Sequence, residues 1–413
     1  MKNQDCLRAN VMYLTKEEEA ILNGELGYPY ALAMKVLTTV GASLGAEKLI
    51  PVEHAHVSGI SYFNIGDAGL EFIESLATSS ARFHVFTTAN PYAVIIDSMY
   101  GSLPEDVRSK QLKIINYLKG MGARAFTCAP YYVRRPSYGE HLAWAESNAV
   151  LYANSLVGAW SNREGGPLAL FEGLLGKTYA AGVHLREGRK PKCLVRVKTG
   201  ESASFLHISL LGLKVGELCP DSIPFVEGLE NVSEELARIF LASFGSTSNA
   251  PMVVFNRLTP DSQELLESSD IKDRFSIDSS DLRDVLLDLR DSSESEGILY
   301  FIGCPHLSLN EFTYLLRRLQ VWGRRNSGKV ELWLGVGDTV SLDKETVDYL
   351  SEVGVRIIRG MCPVTTKLSL LGVKYVITDS GKALHYMPKL AGVKVVIKDR
   401  EEILKEFLGG GVR

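Results

Sequence analysis

Short apolar runs spaced along the second half of the chain constrain its fold more than any other feature. "APMVVFNR", "GILYFIG", "KVELWLGVG", "GVRIIRG", "VKYVITDS" and "GVKVVIKD" are each rich in branched apolar residues. Helical segments such as "LNEFTYLLRRLQVWGRR" and "DKETVDYLSEVG" lie between several of them. Strands that alternate with helices predict α/β layers with largely parallel sheets. The first half repeats the design. "KLIPVEHAHVSGIS", "ARFHVFTTANP" and "ARAFTCAPYY" read as strands running into polar loops. "TKEEEAILNGELG" predicts a helix capped by Thr15, with three glutamates at its positive end. "PEDVRSKQLKIINYLKGMG" predicts another, with proline near its start and glycine at its end. "GEHLAWAESNAVLYANSLVG" reads as one long helix.

A chain of 413 residues is expected to form two or three domains. The expected division is an N-terminal α/β region, 1–250, and a C-terminal α/β region, 251–413, with segments free to interleave. The formal net charge of −4 gives no support for general binding to nucleic acid or a membrane surface. An anionic small molecule has to be met by local basic groups. The N-terminus lacks a secretory pattern, and no apolar run is long enough to span a bilayer, so a cytoplasmic location is the default expectation.

Six cysteines in a chain of this length are not a disulfide scaffold. They are expected to be buried thiols, metal ligands or nucleophiles. Their placement separates them. Cys128, Cys304 and Cys362 each stand at or just beyond the carboxyl end of an apolar run, with proline one or two residues later. Ligand sites in open α/β sheets gather outside such strand ends, so the three thiols are candidates to converge. Cys6 is in the N-terminal tail, and Cys193 opens a strand at the opposite end. Cys219 also precedes proline and is the rival ligand. A buried cysteine is as simply a small core residue, and the pattern alone leaves both readings open.

The polar loops supply further candidates. In "HAHVSGISY", Gly59 permits close backbone approach and Ser61 offers a hydroxyl. In "TTANP", Asn90 and the local backbone are candidates to meet the same ligand. "AWAESNAV" places Glu146 and Ser147 in apolar surroundings, where a carboxylate is costly unless paired or functional. "SNREGGP" offers Arg163, for which a structural ion pair is an equally simple account. "VITDSGKALHY" follows a strand and opens a helix, so Lys382 adds a cation to a helix start suited to an anion. No Walker A loop, G-x-S-x-G elbow, H-E-x-x-H motif or dinucleotide fingerprint is found.

Together these pieces resemble the aconitase X family. The signatures are "YLTKEEEAILNGELG", "AHVSGISYFNIGDAGLEF", "TTANP", "GEHLAWAESNAVLYANS", "NREGGP", "GCPH" and "SGKALHY", in family order from about Met12 to Met387. The resemblance implies a hydro-lyase with aconitase-like α/β/α layers. It implies a [4Fe-4S] cluster with one open iron, held by Cys128, Cys304 and Cys362. It implies substrate contacts at Gly59, Ile60, Ser61, Asn90, Pro91, Glu146, Ser147 and Lys382, with Glu146, Ser147 and Lys382 catalytic. The form resembled lacks the small swivel domain, which is then a second polypeptide in a heterodimer and carries the serine base. The expected reaction is dehydration of (R)-5-phosphomevalonate to trans-anhydromevalonate 5-phosphate in an archaeal mevalonate pathway. The enzyme alternative is dehydration of cis-3-hydroxy-L-proline. The alternative of another class is an iron-dependent RNA-binding regulator, against which the net acidity argues.

Overall fold

The structure, a computed structural model, describes residues 12–97, 99–198, 204–278, 280–282, 296–322 and 330–409. Cys6, residues 283–295 of the charged stretch and the tail beyond Gly409 lie outside the described residues. Three parallel sheets organise the fold. One has the spatial order Phe86–Ala89, His54–Val57, Leu142–Trp144. A second runs Asp273–Ile277, Cys193–Val197, Pro224–Glu227, Val254–Phe255. The third has five strands, Val355–Arg359, Glu331–Val336, Ile298–Ile302, Tyr375–Thr378 and Lys394–Ile397.

The unbroken apolar runs follow from burial on both sheet faces. In the third sheet Leu299, Phe301 and Trp333 join one core, while Tyr300, Ile302, Leu332 and Leu334 join another. Successive side chains point to opposite faces, so an inner strand such as Ile298–Ile302 carries apolar residues at every position, while the edge strands Val355–Arg359 and Lys394–Ile397 admit charged ones. The expected edge at 250 falls inside the second sheet, where strands before and after it share one core. Among the described residues no helix is long and apolar enough to cross a membrane.

Local signals hold at the helix ends. Lys16–Leu22 begins with a capping box of Thr15 and Glu18, and Glu105–Met121 runs from Pro104 to a left-handed Gly122. Two expectations fail. "ARAFTCAPYY" makes no strand: Phe126 forms only an isolated bridge with Ala89. Its N–H is taken by Asp338 Oδ1 at 2.8 Å, and Pro130 turns the chain into a short 3-10 segment. "GEHLAWAESNAVLYANSLVG" is not one helix either. Leu142–Trp144 is a fully buried strand paired with His54–His56. The helix begins only at Ser147, with Glu146 as its N-cap, and loosens into a π-helical turn at Ala153–Val157. Tertiary pairing overrides the local pattern there.

Cys193 and Cys219 correct the reading of all cysteines as thiols or ligands, because they form a disulfide with Cα atoms 6.5 Å apart. The reason is topological. The helix Phe205–Leu218 follows strand Cys193–Val197 in a parallel crossover and returns its C-terminus to the beginning of that strand. Cys219 is thereby removed as the rival ligand.

Candidate active site

The carboxyl ends of several parallel strands face one cleft of about 530 Å³. His54–Val57 leads to Gly59, Ile60 and Ser61; Phe86–Ala89 leads to Asn90 and Pro91; Leu142–Trp144 leads to Glu146 and Ser147. Tyr375–Thr378 leads to Lys382 in the first turn of helix Gly381–Leu390. All eight residues expected to touch substrate line this cleft. Two glycines make its wall possible. Gly59 has φ +71°, a conformation that favours glycine. At Gly166 a Cβ would stand 2.3 Å from the Ser58 carbonyl oxygen, so only glycine lets the "EGGP" turn close on that loop.

Glu146 is the hub of the polar wall. It forms a short ion pair with Lys382, both side chains nearly buried. The Asn148 amide donates to its Oε1 at 2.9 Å and the Asn90 amide to its Oε2 at 2.7 Å. Burial alone would raise the Glu146 pKa. The Lys382 charge and the Asn90 and Asn148 donors outweigh burial and pull it down to about 2. Burial likewise opposes the Lys382 charge, but Glu146, Cys304 and Cys128 hold its pKa above the ordinary lysine value. Lys382 is therefore no solvated surface lysine. Its ammonium also lies 3.3 Å from Ser147 Oγ.

Behind Asn90 runs a buried relay. His56 Nε2 is 2.8 Å from Asn90 Oδ1, His56 Nδ1 is 2.7 Å from Thr88 Oγ1, and Thr88 Oγ1 is 2.9 Å from His54 Nε2. The Asn90 oxygen can only accept, so His56 Nε2 donates and the amide's NH₂ is turned onto Glu146. Burial lowers the His56 pKa to about 4, which keeps this donor–acceptor sense at neutral pH.

The three candidate thiols are free. Cys304 is buried and its peptide bond to Pro305 is cis; Cys128 and Cys362 are half-buried. Burial pushes the Cys304 thiol up to about 12, with Lys382 opposing and Cys362 adding to the rise. Cys128 is raised well above the usual thiol value, first by burial, with Glu146 and Cys304 adding and Lys382 opposing. Burial also raises Cys362, while nearby N–H groups and Lys382 lower it. Cys304 thus acts on Cys128 and is acted on by Cys362, and Lys382 acts on all three. Among the described residues no three His, Cys, Asp or Glu side chains are arrayed around one metal ion. A cluster sets a different requirement, because each cysteine binds its own iron and the sulfurs stand further apart. Three free thiols match that donor set in chemistry.

Two wall residues are bonded otherwise than the sequence reading expected. Arg163 has no carboxylate partner among the ion pairs of the described residues. Its guanidinium instead donates to the backbone carbonyls of Gly245 and Ser248, at the C-terminal end of helix Glu234–Thr247. The ion pair considered for it is absent, and a helix end takes that place. Burial lowers its pKa, with Tyr386 and Glu146 opposing. Ser61 does not leave its hydroxyl free, since it donates to the Thr365 carbonyl at 2.7 Å.

Comparison with known proteins places this geometry. Models of the aconitase X first, second and third domains match residues 11–187, 191–287 and 298–409. The chain is 38% identical to a phosphomevalonate dehydratase large subunit of Aeropyrum pernix, covering 95% of this chain and 99% of that protein. It is 30% identical to a cis-3-hydroxy-L-proline dehydratase of Pseudomonas aeruginosa, covering 95% of this chain but 69% of that protein. A crystal structure of Thermococcus kodakaraensis aconitase X in its holo form superposes with a TM-score of 0.87 at 33% identity, over 96% of this chain and all of that one. The three domain models span the strands, the cleft and the three free cysteines alike, and the chain belongs to the aconitase X family.

Proposed function

We propose that this chain is the large catalytic subunit of a hydro-lyase that dehydrates (R)-5-phosphomevalonate to trans-anhydromevalonate 5-phosphate. The observation that carries the reading is the extent of the match. Proteins named phosphomevalonate dehydratase large subunit are matched over 98–100% of their length, whereas the two hydroxyproline dehydratases are matched over 66–69% of theirs. The cleft supports the same substrate. It offers one cation bound to a carboxylate, Lys382, and one bound, among the described residues, to carbonyls, Arg163. A substrate with a carboxylate at one end and a phosphate at the other suits such a pair of cations.

Cys128, Cys304 and Cys362 would hold a [4Fe-4S] cluster. When bound it supplies a Lewis acid at its open iron, which polarises the carboxylate and assists departure of the β-hydroxyl. The chain's own residues do the rest. Lys382 stays protonated and donates to a substrate oxygen. Glu146 is ionised, so it is no acid; it fixes the Lys382 ammonium, and Asn90 and Asn148 fix Glu146. Ser147 Oγ, within reach of Lys382, hydrogen-bonds the departing oxygen. The backbone of Gly59 and Ile60 and the ring of Pro91 close the wall. Arg163 takes the phosphate. The proton α to the carboxylate goes to a serine on the small swivel-domain subunit, which completes the site in a heterodimer.

Co-expression with the candidate small subunit, followed by anaerobic assay of both substrates, tests this reading. Turnover of phosphomevalonate by the pair, with little from this chain alone, is expected. Preference for cis-3-hydroxy-L-proline, or full activity of this chain alone, would overturn it.

A further inference from the structure

His306 follows Cys304 by two residues and is almost completely buried. It touches the segments that carry all three candidate ligands. Its backbone N–H donates to Cys128 Sγ at 3.2 Å. Its Nδ1 is 3.1 Å from the hydroxyl of Thr127, the neighbour of Cys128. Its Nε2 is 3.1 Å from the carbonyl oxygen of Met361, the neighbour of Cys362. In the neutral ring the partners set the bonding sense. A carbonyl only accepts, so Nε2 carries the proton, and Nδ1 accepts from the Thr127 hydroxyl. That hydroxyl in turn accepts from the Ala129 N–H at 3.0 Å.

These three segments come from different parts of the chain. The Thr127–Cys128 segment belongs to the first aconitase X domain, and the other two to the third. The ring's bond to Thr127 and the His306 N–H bond to Cys128 cross that division. We infer that His306 is the positioning residue that fixes the mutual spacing of the loops bearing Cys128, Cys304 and Cys362, so that the three sulfurs close on one cluster. The inference rests on the ligand reading above. An alternative is a histidine that merely fills a core, packed over Gly335. A space-filling role does not require both ring nitrogens to meet backbone or hydroxyl partners beside two other ligands.

Three variants separate these roles. His306→Gln preserves a donor near the Nε2 position and loses the Thr127 contact. His306→Asn does the reverse, and His306→Ala loses both. Each is purified free of iron, and thiol pairs are bridged with dibromobimane. Each is then reconstituted anaerobically, and iron per chain and the electron paramagnetic resonance spectrum are recorded. In His306→Ala we expect lower bridging yield among the three thiols. Iron affinity should fall about 10–100-fold, the usual loss on removing a group that orients ligands. Gln and Asn should fall between Ala and wild type, with altered spectra and unchanged circular dichroism. Wild-type bridging, iron affinity and spectrum in His306→Ala would overturn the inference; if Ala fails to fold, the same result in both Gln and Asn would do so. Cys304→Ser is the control for the ligand reading. If it binds iron normally, that reading fails, and the bridging yields of the iron-free chains still decide the role of His306.

Discussion

Breaking the Lys382–Glu146 pair has a cost that can be worked from the structure. Both side chains are nearly buried, and the Glu146 pKa stands at about 2 against an ordinary 4.5. That gap corresponds to about 3 kcal/mol in favour of the ionised carboxylate, at ~1.4 kcal/mol per pKa unit. Lys382 supplies the largest share of the downward pull. Removing one partner of a buried pair typically costs about 3–5 kcal/mol, in agreement. Lys382→Met in the iron-free chain is therefore expected to lower stability by about 2–3 kcal/mol, the Asn90 and Asn148 donors retaining the remainder. That is roughly 4–12 °C in the melting temperature of the unit that unfolds, at ~2–4 °C per kcal/mol. Glu146→Gln placed on top of Lys382→Met removes the stranded charge and should restore most of the loss. Activity should not return. In the reconstituted heterodimer the single and double variants should both lose at least about tenfold in kcat/KM, because the ammonium is missing from the site. Thermal melts of the four members of the cycle, with anaerobic kinetics in parallel, provide the measurement. A wild-type melting temperature for Lys382→Met, or near wild-type kcat/KM in the double variant, would refute the reasoning.

Four further outcomes follow from other parts of the molecule. Cys304→Ser, in anaerobically reconstituted chain, should lose iron and activity together, since a hydroxyl is a poor substitute for a thiolate at iron; the double variant Cys193→Ser/Cys219→Ser should retain its iron, because that disulfide is outside the site. Arg163→Gln should raise the KM for phosphomevalonate about tenfold or more while kcat changes little, the loss of ~1.5–3 kcal/mol expected for a charge-assisted contact; an unchanged KM would remove Arg163 from the phosphate site. Glu172 is buried with one oxygen unpartnered, and burial, reinforced by the Glu164 charge, raises its pKa well above the ordinary value. The folded chain then keeps a proton that the unfolded chain releases above 4.5, so stability falls as pH rises beyond that point. Glu172→Gln should raise the melting temperature at pH 8 and leave it unchanged near pH 4; an equal effect at both would contradict the protonated state.

The legible and the hidden parts of this molecule differ in how far apart the interacting residues stand. Helix ends were readable because a cap acts over three residues, as Thr15 does on Glu18. The strands of the third sheet were readable because burial on both faces forces an apolar run that no helix of that length imitates. Leu142–Trp144 was not, because three buried residues beside a helix supply no period of their own. The Cys193–Cys219 bond was hidden for a related reason. Its spacing of 26 residues means nothing until the crossover helix is known to return to the start of its strand.

The site follows the same division. Each loop announces itself, since a polar residue after a buried strand is costly unless something meets it. What meets it is not announced. Lys382 lies 236 residues from Glu146, and no local pattern links them. His56 was readable as polar but not as the group that orients Asn90. Arg163 was readable as a cation, yet its partners are carbonyls at the end of a helix that begins some seventy residues later. A carboxylate partner would have left a complementary charge to search for in the sequence; a helix terminus leaves none. The helix end that holds Arg163 in place of a carboxylate is thus the same feature that concealed its partners. Partners that are helix ends are then the ones that sequence patterns underreport, while a carboxylate in apolar surroundings, such as Glu146, stands out.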